Sequence, residues 1–105
     1  MDQADAVNIA QKYADVVKAN YNNIKIILFG SYAKGNFNED SDIDIAVIFK
    51  DYSSLIDMQL ELMRLRRKID SRIEPHPFRE SEFELSNPLV NEIIKYGQEI
   101  YNNVA

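Results

Sequence analysis

Two short apolar runs, and what stands between them, restrict this chain more than any other feature. Lys25-Ile26-Ile27-Leu28-Phe29 is rich in β-branched residues and of strand length, so it reads as a strand buried on both faces, and it stops at Gly30. Asp42 to Phe49 alternates instead. Ile43, Ile45, Val47 and Phe49 fall on one face and Asp42, Asp44 and Ala46 on the other, which describes a second strand with a wet end. Between the runs, Ser31 to Lys34 has room for one helical turn before Gly35, and Asn36 to Ser41 is polar loop.

The remaining segments supply layers for this sheet. From Ala4 to about Asn20, Val7, Ala10, Ala14, Val17 and Tyr21 recur at helical spacing, while Gln3, Asp5, Lys12, Asp15 and Lys18 fall largely off that stripe. Ser53 or Ser54 caps a further helix with the stripe Leu55, Met58, Leu62, Leu65 and Ile69. Its last turns carry Arg64, Arg66, Arg67 and Lys68, where cations suit a helix C-terminus. Ser71 to Phe78 is extended, and Pro75 and Pro77 confine it to a sheet edge. Asn87 caps and Pro88 opens a last helix with Gly97 as its C′ residue, and Gln98 to Tyr101 is either a short strand or a frayed tail. This order predicts an α+β fold, a small mixed β-sheet of three to four strands flanked by helices.

Size and charge narrow the function. With 105 residues the chain has material for a single domain and one core. Twelve Lys and Arg against seventeen Asp and Glu leave a net charge of −5, which speaks against strong direct nucleic-acid binding, since such affinity is mostly phosphate neutralisation. The absence of cysteine excludes disulfides, thiolate zinc sites and a Cys nucleophile. The polar start Met1-Asp2-Gln3-Ala4-Asp5 and the shortness of the longest apolar run, Ile45 to Phe49, predict a cytoplasmic protein without a membrane segment.

The chemistry is concentrated where the first strand ends and the second begins. A strand that stops at Gly30-Ser31 and turns into a short helix offers backbone N–H groups and a hydroxyl to an anion, and Gly30 lets the backbone approach closely. After a ten-residue spacer, Asp42 and Asp44 stand at i and i+2, so their carboxylates point to one side and can hold an oxygen-seeking cation between them. A P-loop is excluded because Asn36 and Phe37 stand where that motif needs Lys and Ser or Thr.

Gly30-Ser31-Tyr32-Ala33-Lys34-Gly35, the spacer and Ser41-Asp42-Ile43-Asp44-Ile45-Ala46-Val47 together resemble the signature of the DNA polymerase β-type nucleotidyltransferase superfamily, and the short length resembles its minimal nucleotidyltransferase (MNT) branch. The resemblance implies the palm-like nucleotidyltransferase fold and transfer of a nucleoside monophosphate, most plainly AMP from ATP, to a hydroxyl. It implies two Mg2+ ions held by three carboxylates, with Asp42 and Asp44 as metal ligands and catalytic residues. Gly30 and Ser31 would meet the nucleotide's phosphates, and Lys34 in the same turn is a further nucleotide-binding candidate. Tyr32 stands where many relatives have Arg.

The third carboxylate must come from a neighbouring strand. Glu74 is the candidate: if Ile73 packs inward, Glu74 points with Arg72 and His76 to the opposite face. Asp70 is the competitor, and the absence of any third functional acid is the remaining reading. Glu74 would bind metal and accept the proton of the attacking hydroxyl; His76, the only histidine, is a secondary candidate for touching substrate. Proteins with this appearance are commonly paired with a HEPN-domain toxin, so the resemblance implies an antitoxin that adenylylates its partner. The alternatives are a non-catalytic antitoxin or nucleotide-binding module, and nucleotidyl transfer to a small molecule such as an aminoglycoside.

Overall fold

The computed structural model describes residues 1 to 105. Helix α1 (Gln3–Asn20) leads to strand β1 (Ile24–Phe29), the single turn α2 (Ser31–Lys34), β2 (Ile43–Phe49), α3 (Leu55–Leu65), β3 (Ile73–Arg79), α4 (Pro88–Tyr96) and β4 (Gln98–Asn102). Two 3-10 turns, Arg66–Lys68 and Glu80–Glu82, flank β3. The strands form one mixed sheet in the order β3-β2-β1-β4, with β1 antiparallel to β2 and β4 and with β3 parallel to β2. The expected α+β class is therefore present with four strands, and Gln98–Asn102 is a strand, not a frayed tail.

β1 is apolar on both sides because both sides are covered. Ile24, Ile26 and Leu28 join Ile43, Ile45 and Val47 under α1 and α3, whereas Ile27, Phe29, Ala46 and Ile48 pack with Ile93 of α4. On α1 the core-facing residues are Ala6, Ala10, Tyr13, Ala14 and Val17, so the stripe is rotated from the expected one and Val7 and Tyr21 are only partly buried. Tyr13 is buried because its hydroxyl has a partner: it donates to the Leu62 carbonyl at 2.7 Å and ties α1 to α3. Burial pushes the Tyr13 phenol well above its ordinary pKa.

α3 begins at the Ser54 cap, whose hydroxyl accepts from the Asp57 amide, and meets the core through its C-terminal half, Leu62 and Leu65. Leu55, expected on the buried stripe, is exposed for that reason. The helix also ends earlier than expected, so Arg66, Arg67 and Lys68 lie in the following 3-10 turn and only Arg64 is in the last α-turn.

β3 is an edge strand, as its prolines require. The carbonyls of Ile73, Pro75 and Pro77 accept from Arg66, Gln59 and Tyr52 respectively. Pro75 and Pro77 have no N–H to leave unpaired on that side, so the edge is closed by side chains. Gly97 corrects an expectation: its φ of −69° is open to any residue, so it is not a left-handed C′ glycine. Glycine is needed there for space, because a Cβ would press on the Ile93 carbonyl and lie 2.6 Å from Cγ2 of Ile27. No helix is long and apolar enough to cross a membrane.

Candidate active site

Register builds the site. Asp44 lies opposite Phe29 of β1 on one side and opposite Glu74 of β3 on the other, so a residue next to the motif turn and a second acid are brought to it by strand pairing alone. β1 ends at Phe29, and Gly30 then adopts φ 75° and ψ −153°, a conformation essentially reserved for glycine. A Cβ on Gly30 would collide with the Asp44 carboxylate and lie 3.2 Å from its Cγ. The turn therefore closes directly over Asp44.

Asp44, Glu74 and His76 each offer one ligand atom, and these atoms lie within 4.8 Å of one another. His76 Nε2 is 3.1 Å from Asp44 Oδ1, and the imidazole stands edge-on to Phe29 with ring centroids 5.0 Å apart. Asp42 is exposed just before β2 and lies beside Glu74 rather than within that group of three. Lost hydration holds the Glu74 carboxyl above its ordinary pKa, with hydrogen bonding to Asp42 and the Asp44 charge adding to the rise. Crowded carboxylates of this kind suit a divalent cation, which offsets the mutual repulsion that adds to the rise of Glu74. The donor set thus fits the expected metal, with Asp42, Asp44 and Glu74 as its candidate holders.

The phosphate-facing candidates are less uniform. Gly30 gives α2 no side-chain cap, and the first intrahelical donor is the Lys34 amide to the Gly30 carbonyl, so the amides of Ser31, Tyr32 and Ala33 precede the helical bonds. Ser31 is half-buried at this end. Tyr32 is buried, stacks on Phe37 at 4.6 Å and is part of the core, so its side chain supplies nothing to the carboxylates. Lys34 is turned to α4: its Nζ is 2.9 Å from Glu92 Oε1 and 5.2 Å from the Tyr96 ring centre. The structure does not bring it to the carboxylates.

Asp70, the competitor of Glu74, is engaged by the Arg72 guanidinium at 2.9 and 2.6 Å and also accepts from the Arg72 amide. The Arg72 hydrogen bond holds the Asp70 carboxyl below its ordinary pKa. A group lowered on folding adds stability above its unfolded pKa, and that stability is lost as pH falls through the lower folded value. Asp70→Asn is thus expected to flatten the acid limb of a stability-against-pH curve below about pH 4, which urea unfolding across pH 2 to 7 checks; an unchanged limb refutes it.

Among the chain's cavities, none is lined by Ser31, Asp42, Asp44, Glu74 or His76. The site is an open face at one end of the sheet. His76 is the residue to which sequence reasoning gave too small a place: its i+2 spacing from Glu74 puts both on one face, but its bond to Asp44 depends on the β2 and β3 register.

The chain matches the family described as "Polymerase beta, Nucleotidyltransferase" over residues 11–104. The chain belongs to this family and is a nucleotidyltransferase. It is 30% identical over 79 residues to "Putative protein adenylyltransferase MJ0141" of Methanocaldococcus jannaschii, covering 72% of this chain and 77% of that protein. A solved toxin-antitoxin structure with AMP-PNP is similar at TM-score 0.65 and 26% identity, covering 88% of this chain and 73% of the other. A complex of a tri-AMPylated Shewanella oneidensis HEPN toxin with an MNT antitoxin shares the fold at TM-score 0.61 and 24% identity, covering 95% and 72% respectively.

Proposed function

We propose that the chain moves AMP from ATP to a hydroxyl of a partner protein, the acceptor oxygen bonding to the α-phosphorus as the bond to the β-phosphate breaks and pyrophosphate leaves, as the antitoxin of a HEPN/MNT pair. The observation that carries this reading is the convergence of Asp44, Glu74 and the Gly30-Ser31 turn, with Asp42 alongside. Asp42, Asp44 and Glu74 would hold divalent cations, Mg2+ in the first instance, which when bound would supply positive charge to the phosphates and make the acceptor hydroxyl easier to deprotonate. Ser31 and the amides at the start of α2 orient the triphosphate. Gly30, lacking a side chain, leaves that turn close to the carboxylates. Glu74 takes the acceptor's proton on a carboxylate oxygen, which its exposed place on β3 leaves within reach of an incoming hydroxyl.

The open face favours a macromolecular acceptor. A small acceptor such as an aminoglycoside needs walls that bury most of its surface, and no cavity of this chain adjoins the carboxylates. A partner protein brings its own surface, and the MJ0141 name and the AMPylated HEPN complex point the same way. The test is incubation of the chain with labelled ATP, Mg2+ and the protein encoded beside it, followed by mass spectrometry. A 5′-AMP adduct on a partner side chain is expected, and its absence with binding retained leaves the non-catalytic antitoxin.

Glu74→Gln separates roles within the same assay. Gln keeps the size and loses the charge, so the proton acceptor goes while Ser31, the α2 amides and a cation on the aspartates would still hold ATP. A fall in kcat of about 10²- to 10⁴-fold, the usual contribution of a general base, with KM for ATP changed by only a few-fold is expected. Unchanged turnover removes Glu74 from the mechanism.

A further inference from the structure

We propose that His76 is a direct nitrogen ligand in this site, forming with Asp44 and Glu74 a cation position for a first-row transition ion such as Mn2+ in preference to Mg2+. The inference rests on the reading of the site as a divalent-cation centre and adds to the three expected carboxylates a donor of another kind.

Three observations carry it. The donor atoms of Asp44, Glu74 and His76 lie within 4.8 Å of one another, little wider than the roughly 4.2 Å that two opposite ligands of one ion span, and the exposed Glu74 side chain is free to close the difference. The His76 Nε2 to Asp44 Oδ1 separation is 3.1 Å, and two neighbouring ligands at about 2.1 Å from an octahedral ion lie roughly 3.0 Å apart. The imidazole is also preset: Phe29 meets it edge-on, and the residue opposite it in register is Ala46, whose methyl leaves room for the ring to lean to Asp44. A half-buried ring with 28% side-chain exposure keeps an open side for the ion.

Ligand chemistry decides which ion. Mg2+ favours oxygen donors and few protein ligands, whereas imidazole suits later first-row ions and carboxylates suit Mn2+ as well as Mg2+. A set of two carboxylates and one imidazole therefore favours a first-row transition ion over Mg2+, and Mn2+, which accepts both donor types, is the paramagnetic member of that series used as the probe. Asp42 lies outside this group and remains available to a second, oxygen-ligated ion beside Glu74.

The chain has a single histidine, which makes the test direct. Full-length protein without a polyhistidine tag is mixed with Mn2+ alone, and the bound ion is read by electron spin echo envelope modulation. Imidazole-nitrogen coupling is expected, and in this chain it can only come from His76. In His76→Gln, which keeps a hydrogen-bond donor for Asp44, the coupling disappears and Mn2+ affinity by titration falls by about tenfold or more, while Mg2+ affinity moves by less than about threefold. Bound Mn2+ without nitrogen coupling in the wild type overturns the proposal and leaves His76 orienting Asp44 through a hydrogen bond, with the cation reading intact. Failure of both ions to bind with or without AMP-PNP overturns the cation reading and this proposal together. The wild-type spectrum decides even if the variant does not fold.

Discussion

Asp44→Asn is expected to abolish nucleotidyl transfer and leave the protein folded. Asp44 occupies the middle of the site, opposite Glu74 in β3, beneath the Gly30 turn and within 3.1 Å of His76. Asp44 would act through the cation it holds, and loss of one preorganised positive contact to the transferring group costs about 10²- to 10³-fold in rate. The fold does not depend on it. Asn keeps the size and offers both an oxygen and an amide to His76 Nε2, and removing the charge relieves one of the influences that raise Glu74, so thermal stability without metal is expected to stay level or rise. Activity and melting curves of the purified variant settle the matter. Full activity rejects the catalytic assignment, and a collapsed melting curve shows Asp44 to be structural.

The parts of this site that were legible in the sequence are those that local spacing determines. Gly30-Ser31 ends a strand and Asp42 and Asp44 open the next, because buried runs, turn residues and i, i+2 placement are all written within a few residues. Glu74 required a further step, the face on which Ile73 packs, and Ile73 is indeed fully buried while Glu74 is exposed. The bond between His76 and Asp44 was not legible, since it depends on a parallel register between strands separated by a helix. Lys34 shows the same limit more sharply. Its place in the motif turn suggests a phosphate, and the pairing of its ammonium with Glu92, 58 positions later at 2.9 Å, is a contact that no local spacing shows. Tyr13 was missed for a different reason: a polar tip removes a tyrosine from an apolar stripe unless its hydrogen-bond partner is known, and that partner is the carbonyl of Leu62. Leu55 failed in the opposite direction, because periodicity shows which side of a helix is apolar but not how far along the helix the core extends.

Gly30→Ala is expected to damage stability and transfer together, and Gly35→Ala gives the measure of how much is owed to the site. Both glycines have positive φ, 75° at Gly30 and 84° at Gly35. They differ in ψ and in surroundings. Gly35, with ψ 7°, is in the ordinary left-handed region and a Cβ there meets nothing within 4 Å, so Ala is expected to cost only about 1 kcal/mol. Gly30, with ψ −153°, is in a region nearly closed to other residues, where strain alone costs roughly 1–3 kcal/mol. The added Cβ also meets the Asp44 carboxylate, which must turn away, and turning it breaks the bond to His76. At about 4–8 °C per kcal/mol for a domain near this size, the melting midpoint is expected to fall by roughly 10 °C or more in Gly30→Ala and by about half that or less in Gly35→Ala. Transfer is expected to be lost in the first variant and retained in the second. The double variant Gly30→Ala with Asp44→Ala isolates the collision, since it removes the carboxylate and leaves the backbone strain. Recovery of part of the lost stability in that protein identifies the contact between the turn and Asp44 as the cause. If the two single variants melt together and both remain active, the close approach of Gly30 to Asp44 has no part in holding the site.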